Sequence, residues 1–319
     1  MRVLVTGASG YIGGQTAIQL KEQGHEVFGL DRNRLPDNLH KLDIFADFCQ
    51  FDFASEEALH WIARQSVDAI IHCAGTSLVG PSVTNPAEYY ENNFVKTKTL
   101  CDFLLAFEHR PRLIFSSSAA TYGNPIITPC SEVDPTEPIS PYGESKLMVE
   151  WLLKSYQRAY GLDFVAFRYF NACGADPKAR HGQAPGATHI VARILENYLE
   201  GKDFICNGND YETPDGTCIR DYVHVTDIAN AHIMALDTTL VKSDVYNLGA
   251  AGASNLEVMK TAASVIGKDF VCQYGPRREG DPAMLIADAG KFNKSTNWQP
   301  KYNLKDVIEH AWAWYNRGI

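Results

Sequence analysis

The sequence predicts an α/β fold: a doubly wound parallel sheet with a smaller, interleaved α/β unit. Three observations carry that expectation. Short apolar runs alternate with amphipathic helical stretches, and strands buried on both faces and separated by helices read as βαβ units. The first run, "RVLVTG", passes into a glycine-rich turn that opens a helix. The 319 residues, 45% hydrophobic and 21% charged, suffice for two domains or one large α/β unit.

The elements follow in order. "RVLVTG" is a strand from residue 2, the helix after it runs to about Gly24, and "HEVFGLD" is the second strand. "DAIIHCAG", "RLIFSSS" and "LDFVAFRYFN" continue the pattern, each of the first two followed by helix-like sequence. Gly7, Gly10 and Gly13 form a GxxGxxG turn enclosing Tyr11 and Ile12. Such glycines allow a tight turn, close approach of backbone to a pyrophosphate, and close helix–strand packing. The helix N-terminus turns free N–H groups and a partial positive charge toward the phosphates. Asp31 ends the second strand, where an acid accepts hydrogen bonds from ribose hydroxyls and repels a 2′-phosphate. Arg32 beside it would suit NADP, but Asp31 holds the strand-end position, so the expected cofactor is NAD on a Rossmann-type sheet. Gly14, inside the first helical turn, costs roughly 0.5–1 kcal/mol relative to alanine and has no functional account in the sequence.

The remaining bulk properties exclude several classes. The net charge is −9 with acids dispersed, so no electrostatic footprint for nucleic acid or an anionic membrane is present. No apolar stretch reaches a spanning length, and with a strand expected from residue 2 no leader is expected. The eight cysteines are scattered with no CxxC, which suits reduced, mostly buried thiols and neither a disulfide framework nor a metal site. A soluble cytoplasmic protein is expected.

The stretch "SPYGESK" then acquires a meaning. Ser140 reads as a helix cap and Pro141 as the first helical residue, so Tyr142 and Lys146 share one face, one turn apart. A free tyrosine has a pKa of about 10 and is a poor base at neutral pH. A neighbouring ammonium and an oxidised nicotinamide both favour the phenolate. Lowering the pKa by ~3 units needs about 4 kcal/mol. Tyr142 is then a general base for an alcohol that gives up hydride, with Lys146 on the nicotinamide ribose. Ser118 ends the strand "RLIFSSS", where open α/β sheets bind ligands, and its hydroxyl reaches the same substrate oxygen. Ser116 and Ser117 read from the residues alone as local turn formers.

"TGASGYIGG", "IHCAG", "YYENN", "FSSSAATYG", "SPYGESKLMVEW", "RYFNACGAD", "NDYETPDGTCIRDYVHV" and "RREGDPA" together resemble the extended short-chain dehydrogenase/reductases, most closely the UDP-glucose 4-epimerase branch, over nearly the whole chain. The resemblance implies interconversion of UDP-galactose and UDP-glucose by transient oxidation at the sugar's fourth carbon by bound NAD, rotation of the 4-keto sugar and hydride return. It implies adenine contacts from Asp52 and Phe53, and cofactor contacts from Ala74, Gly75, Asn92, Ser116 and Tyr169. It also implies a diphosphate held by Asn171, Arg220 and Arg278, a sugar pocket with His189, and a uridine ribose held by Asp281. Arginine suits phosphate because its planar fork bonds two oxygens.

Several positions depart from the family pattern. Ser77 replaces a lysine common in relatives, Asn207 replaces the aromatic usual beside uracil, and Leu285 is bulkier than the cysteine or serine of relatives that admit an N-acetyl group. Leu285 favours UDP-glucose and UDP-galactose. Alternatives are a 4-epimerase for UDP-N-acetylhexosamines or UDP-pentoses, a nucleotide-sugar dehydratase, and an NAD-binding sensor without turnover. Ala119 and Ala120 stand where dehydratases carry an acid, and intact Ser118, Tyr142 and Lys146 speak against a sensor.

Past Asn171 a glycine- and proline-rich loop leaves the sheet, followed by a helix in "THIVARILENYLEG" ended by Gly201. The expected division is 1–171 for the NAD-binding unit and 172–319 for the UDP-sugar unit, with about 222–248 returning to the large sheet. Ser254 and Glu257 read as a capping box, and "LKDVIEHAWAWYNRG" as a last amphipathic helix. Helices near 88–107 and 143–160 match those that pair in dimeric relatives, so a twofold homodimer is expected by analogy.

Overall fold

The computed structural model describes residues 1–317 except 187, 270 and 278–280. The large sheet holds β1 (Arg2–Thr6), β2 (Glu26–Asp31), β3 (Asp47–Gln50), β4 (Ala69–His72), β5 (Arg112–Ser118), β6 (Phe164–Tyr169) and β10 (Asp244–Leu248), all parallel. Their spatial order is β10-β6-β5-β4-β1-β2-β3, so the winding reverses between β1 and β4. A reversal of this kind opens a crevice at the carboxyl ends of the strands. Four of the remaining strands, β7 (Asn171–Cys173), β9 (Ile219–His224), β11 (Ala251–Ser254) and β13 (Met284–Leu285), form a smaller mixed sheet around β9, while β8 (Phe204–Asn207) and β12 (Cys272–Gly275) pair with each other.

The helices are α1 (Tyr11–Glu22), α2 (Asp37–His40), α3 (Glu56–Gln65), α4 (Val79–Thr84), α5 (Pro86–Tyr89), α6 (Lys96–Leu104), α7 (Pro141–Tyr160), α8 (Ile190–Leu199), α9 (Val225–Met234), α10 (Asn255–Ile266), α11 (Gly290–Thr296) and α12 (Leu304–Tyr315). Strand alternation sends side chains to two cores. Val3, Val5, Ile71, Val165 and Phe167 meet α1, α9 and α11 on one face, whereas Leu4, Ile70, Leu113, Phe164 and Ala166 meet α3, α6 and α7 on the other. Each fully buried Val, Leu, Ile or Phe among them contributes on the order of 1.5–3 kcal/mol. A third cluster packs α8, α10 and α12 around the small sheet. Among the described residues no helix is long and apolar enough to cross a membrane.

Several local expectations hold. Ser140 caps α7 through Gly143 N at 3.2 Å, with Pro141 first in the helix. Ser254 and Glu257 form the capping box of α10, and Gly201, just past α8, has φ +66°. One boundary needs correction. "RDYVHV", expected to return to the large sheet from about residue 222, is β9 of the small sheet, paired with β7, β11 and β13. The chain returns only with α9, which packs on α1, and then β10. A strand that also reads as a short apolar run gives no signal of which sheet it joins. Gly14 also finds its reason: a Cβ there would lie 2.6 Å from His181 Nε2 and 2.8 Å from Leu39 Cδ1.

Candidate active site

β1 ends in a turn in which Gly7 adopts φ +69° and Gly10 N donates to Gly7 O at 3.0 Å. A Cβ on Gly7 would sit 2.7 Å from Ala74 N, and one on Gly13 would sit 2.2 Å from Gly7 O, so both positions exclude any side chain. α1 starts with no side-chain cap and no acid in its first turn, which leaves its N-terminal amides free. Asp31 is buried at the end of β2, accepting from Ser9 N at 3.0 Å and Asn33 N at 2.8 Å. His181 braces the turn from outside, donating from Nε2 to Tyr11 O at 3.0 Å while Asn38 bonds its Nδ1.

A single cleft of about 1090 Å³ runs from this turn past the ends of β4, β5 and β6 to the small sheet. Every cofactor- and substrate-site residue expected from the sequence lines it except Arg278, which lies outside the described residues. Ser77, Asn207 and Leu285 line it too. At the end of the cleft beside β3 Asp52 is engaged by Lys96 Nζ at 2.7 Å, and the same ammonium reaches Asn92 Oδ1 at 2.9 Å. Phe53 packs edge-on against His72, centroids 4.7 Å apart. Asn92 and Asn93 lie in a π-helical segment, Tyr90–Val95, between α5 and α6. Single π-turns recur where a helix must aim successive side chains at a site. Here Asn92 faces the cleft while Asn93 clamps the loop after β4, accepting from Thr76 N at 2.7 Å and donating to Thr76 O at 3.0 Å.

Ser118, Tyr142 and Lys146 meet in the middle of the cleft. Burial raises the Tyr142 phenol above its ordinary value, and a hydrogen bond with the Ser118 hydroxyl pulls the other way. Lys146 Nζ lies 5.8 Å from the Tyr142 ring centre and donates to Ser116 O at 2.8 Å. Burial also pushes the Lys146 ammonium down to about 8. The expectation that this lysine acidifies the phenol is therefore corrected for the protein alone. The two side chains are placed together, and in the protein alone burial is the largest influence on each.

At the far end Arg220, on β9, donates from Nη1 to Ile219 O at 2.9 Å and lies 3.5 Å from Asp281 Oδ1. The atom facing Asp281 is Nη2, which is buried and makes no hydrogen bond among the described residues beyond that ion pair. A buried guanidinium with spare donors can also bond a ligand oxygen, and its planar fork suits phosphate. Asn171 Nδ2 donates to Asp221 O at 2.8 Å, and desolvation in the cleft holds the His189 imidazole below its usual range. The Cβ-free turn, the free helix amides, Asp31 and the buried Arg220 guanidinium suit a dinucleotide beside a second phosphorylated ligand.

The comparisons agree with that donor set. Residues 3–249 match the model of the NAD dependent epimerase/dehydratase family. The chain belongs to that family. A UDP-glucose 4-epimerase of Halalkalibacterium halodurans is 43% identical over 326 residues, which cover 99% of this chain and 96% of the relative. The crystal structure of UDP-glucose 4-epimerase from Bifidobacterium longum in complex with NAD+ and UDP superposes with TM-score 0.91 at 34% identity, covering 100% of this chain and 99% of that one. The UDP-Glc/GlcNAc 4-epimerase of Campylobacter jejuni superposes with TM-score 0.86 at 37% identity over 99% of both chains. The family assignment covers the extended short-chain dehydrogenase/reductase fold expected from the motifs.

Three supporting groups escaped the sequence reading. Glu150 lies one turn beyond Lys146, on the face that carries Tyr142, and binds Arg168 of β6 and Ser117 of β5. Its spacing, 142, 146 and 150, was the available signal. Lys96 and Asn93 had none, because each acts on a loop distant in sequence.

Proposed function

We propose that this chain catalyses the interconversion of UDP-galactose and UDP-glucose as an NAD-dependent 4-epimerase. The observation that carries the reading is the convergence of Ser118, Tyr142 and Lys146 between a glycine turn and the Arg220 guanidinium, within one cleft. Residues 1–171 with the returning α9 and β10 hold NAD, and the remainder holds the UDP-sugar.

Gly7, Gly10 and Gly13 admit the pyrophosphate, Asp31 takes the adenosine ribose, and Lys146 takes the nicotinamide ribose. NAD so held supplies a reversible hydride acceptor and, when oxidised, a positive ring beside the phenol. Tyr142, raised by its burial, needs that charge to act as a base near neutrality, since a fall of ~3 units corresponds to about 4 kcal/mol. Ser118 hydrogen-bonds the phenol and hands on the proton of the sugar's 4-hydroxyl, and Tyr142 returns it from the opposite presentation of the ring. Arg220 keeps the diphosphate anchored while the hexose turns about its link to it.

Leu285 in the cleft wall supports hexoses without an N-acetyl group as the favoured substrates. We further propose a cytoplasmic homodimer formed through α6 and α7, whose outer face leaves Trp151 57% exposed. Purified protein incubated with UDP-galactose, UDP-N-acetylglucosamine and UDP-arabinose, without added cofactor, tests the reading. UDP-glucose from the first at the highest rate is expected, and net NADH formation with no epimer would refute it.

A further inference from the structure

His232 belongs to α9, is fully buried, and lies outside the residues that line the cleft. Its ring joins two other elements. Nδ1 lies 3.1 Å from Thr16 Oγ1 of α1, and Nε2 is hydrogen-bonded to the Tyr169 hydroxyl at the end of β6. The Tyr169 oxygen is in turn 2.9 Å from Ser116 Oγ of β5. Tyr169 and Ser116 both form the cleft wall beside Tyr142 and Lys146, and Lys146 donates to the Ser116 carbonyl.

Counting hydrogens fixes the direction of every bond in this chain. A threonine hydroxyl has one hydrogen, and that of Thr16 goes to Ile12 O at 2.9 Å. Its oxygen can then only accept from His232, so the neutral ring carries its hydrogen on Nδ1. Nε2 is left as an acceptor, the Tyr169 phenol donates to it, and the Ser116 hydroxyl donates to Tyr169. Burial keeps the ring neutral, its pKa pushed down to about 3. The relay starts at Ile12, inside the glycine turn, and ends on the wall beside Lys146. α9 itself continues directly from β9, the strand that carries Arg220.

We propose that His232 is a positioning residue for the redox site: by taking the phenol's hydrogen it locks Tyr169, and through it Ser116, so that the cofactor wall presents oxygen lone pairs and no competing donor. The proposal rests on reading that part of the cleft as the nicotinamide site. A histidine that merely fills the core would leave the rings beside it free to re-pair, whereas this one sets the orientation of two hydroxyls it does not itself expose to the ligand.

The test compares His232→Phe, His232→Gln, Tyr169→Phe and the double variant His232→Phe/Tyr169→Phe with the parent chain. Cofactor-stripped protein is titrated with NAD by fluorescence, loaded protein is assayed with UDP-galactose, and the His232 tautomer is read by ¹⁵N NMR on the unaltered chain. Removing the acceptor is expected to lower kcat roughly ten- to a hundred-fold, as sub-ångström misplacement does, with KM changed by less than about two-fold. Glutamine, which can still accept from Tyr169, should restore a substantial part of the loss. The double variant should bind NAD and turn over no worse than the poorer single variant, since both act through one hydroxyl. Multiplying losses in the double variant, a change confined to KM, or a ring protonated on Nε2 would each overturn the proposal. If His232→Phe does not fold, the tautomer and the His232→Gln kinetics decide it. Absence of epimerisation by the unaltered chain would refute the proposed function, yet the NAD titrations and the tautomer would still judge the relay.

Discussion

Replacing Glu150 with leucine should damage stability and turnover together, and the size of the effect follows from its surroundings. Glu150 is 0% exposed and Arg168 3%, with Arg168 Nη2 2.7 Å and Nε 3.0 Å from the two carboxylate oxygens. Ser117 Oγ donates to the same carboxylate at 2.5 Å. Burial pulls the guanidinium pKa down, but the hydrogen bonds and charge of Glu150 outweigh it and hold the group firmly protonated. Without the carboxylate a buried cation remains, with the Tyr122 ring 4.7 Å away and no acidic partner in its place. Breaking a buried pair from one side costs about 3–5 kcal/mol. With an unfolding entropy of about 2.1 cal/mol/K per residue, each kcal/mol moves the Tm of a chain this long by roughly 1.5 °C, so a fall of roughly 5–8 °C is expected. Because the pair clamps α7 to β5 and β6, kcat should fall more than KM rises. Changing both partners, Glu150→Leu with Arg168→Met, removes the stranded charge and should recover most of the stability. Differential scanning calorimetry on the stripped and loaded protein measures both. A single variant melting within about 1 °C of the parent, or a double variant no better than the single, would refute the reasoning.

Other consequences can be checked alongside. Lys146 has a folded pKa of about 8, below its unfolded value, so between those values the unfolded chain binds more protons and native stability rises with pH. In cofactor-free protein Lys146→Met should therefore be more stable than the parent at pH 7, with that advantage shrinking as pH climbs from 8 toward 10; an advantage independent of pH would contradict the burial of this cation. Gly14→Ala gains roughly 0.5–1 kcal/mol of helix propensity but presses on a His181 ring held by Gly10, Tyr11 and Asn38. Overpacking of about 1–3 kcal/mol should win, lowering Tm and NAD retention, and a stabilised variant would show that the ring gives way. Trp151→Glu should convert the proposed dimer to monomer in sedimentation velocity, and an unchanged sedimentation coefficient would place the interface elsewhere.

What the sequence made legible was what short-range rules encode. The strand, glycine turn and Asp31 form one contiguous pattern, and Ser140 with Pro141 or Ser254 with Glu257 announce helix starts through bonds spanning three residues. The family motifs then supplied the far side of the cleft, including Arg220 and Asp281. The rest depends on contacts across the fold. His232 meets Thr16 and Tyr169 from 216 and 63 positions away, and Lys96 reaches back 44 positions to Asp52. No local pattern marks such pairs. The assignment of "RDYVHV" to the wrong sheet has the same origin, since an apolar run specifies a strand but not its neighbours. For the cofactor-free protein the Lys146 expectation is corrected for a different reason: proximity was read correctly, but the desolvation that accompanies it is a property of the packed site.

The central claim is a closed exchange of hydride at one carbon with Tyr142 moving the proton. Converting UDP-galactose deuterated at carbon four, in ordinary water and without added cofactor, tests it most directly. The account predicts UDP-glucose that keeps its deuterium at carbon four, and a Tyr142→Phe variant that retains NAD while turning over roughly 10²–10⁴-fold more slowly. Deuterium lost to solvent, or a phenylalanine variant of near-normal rate, would contradict it.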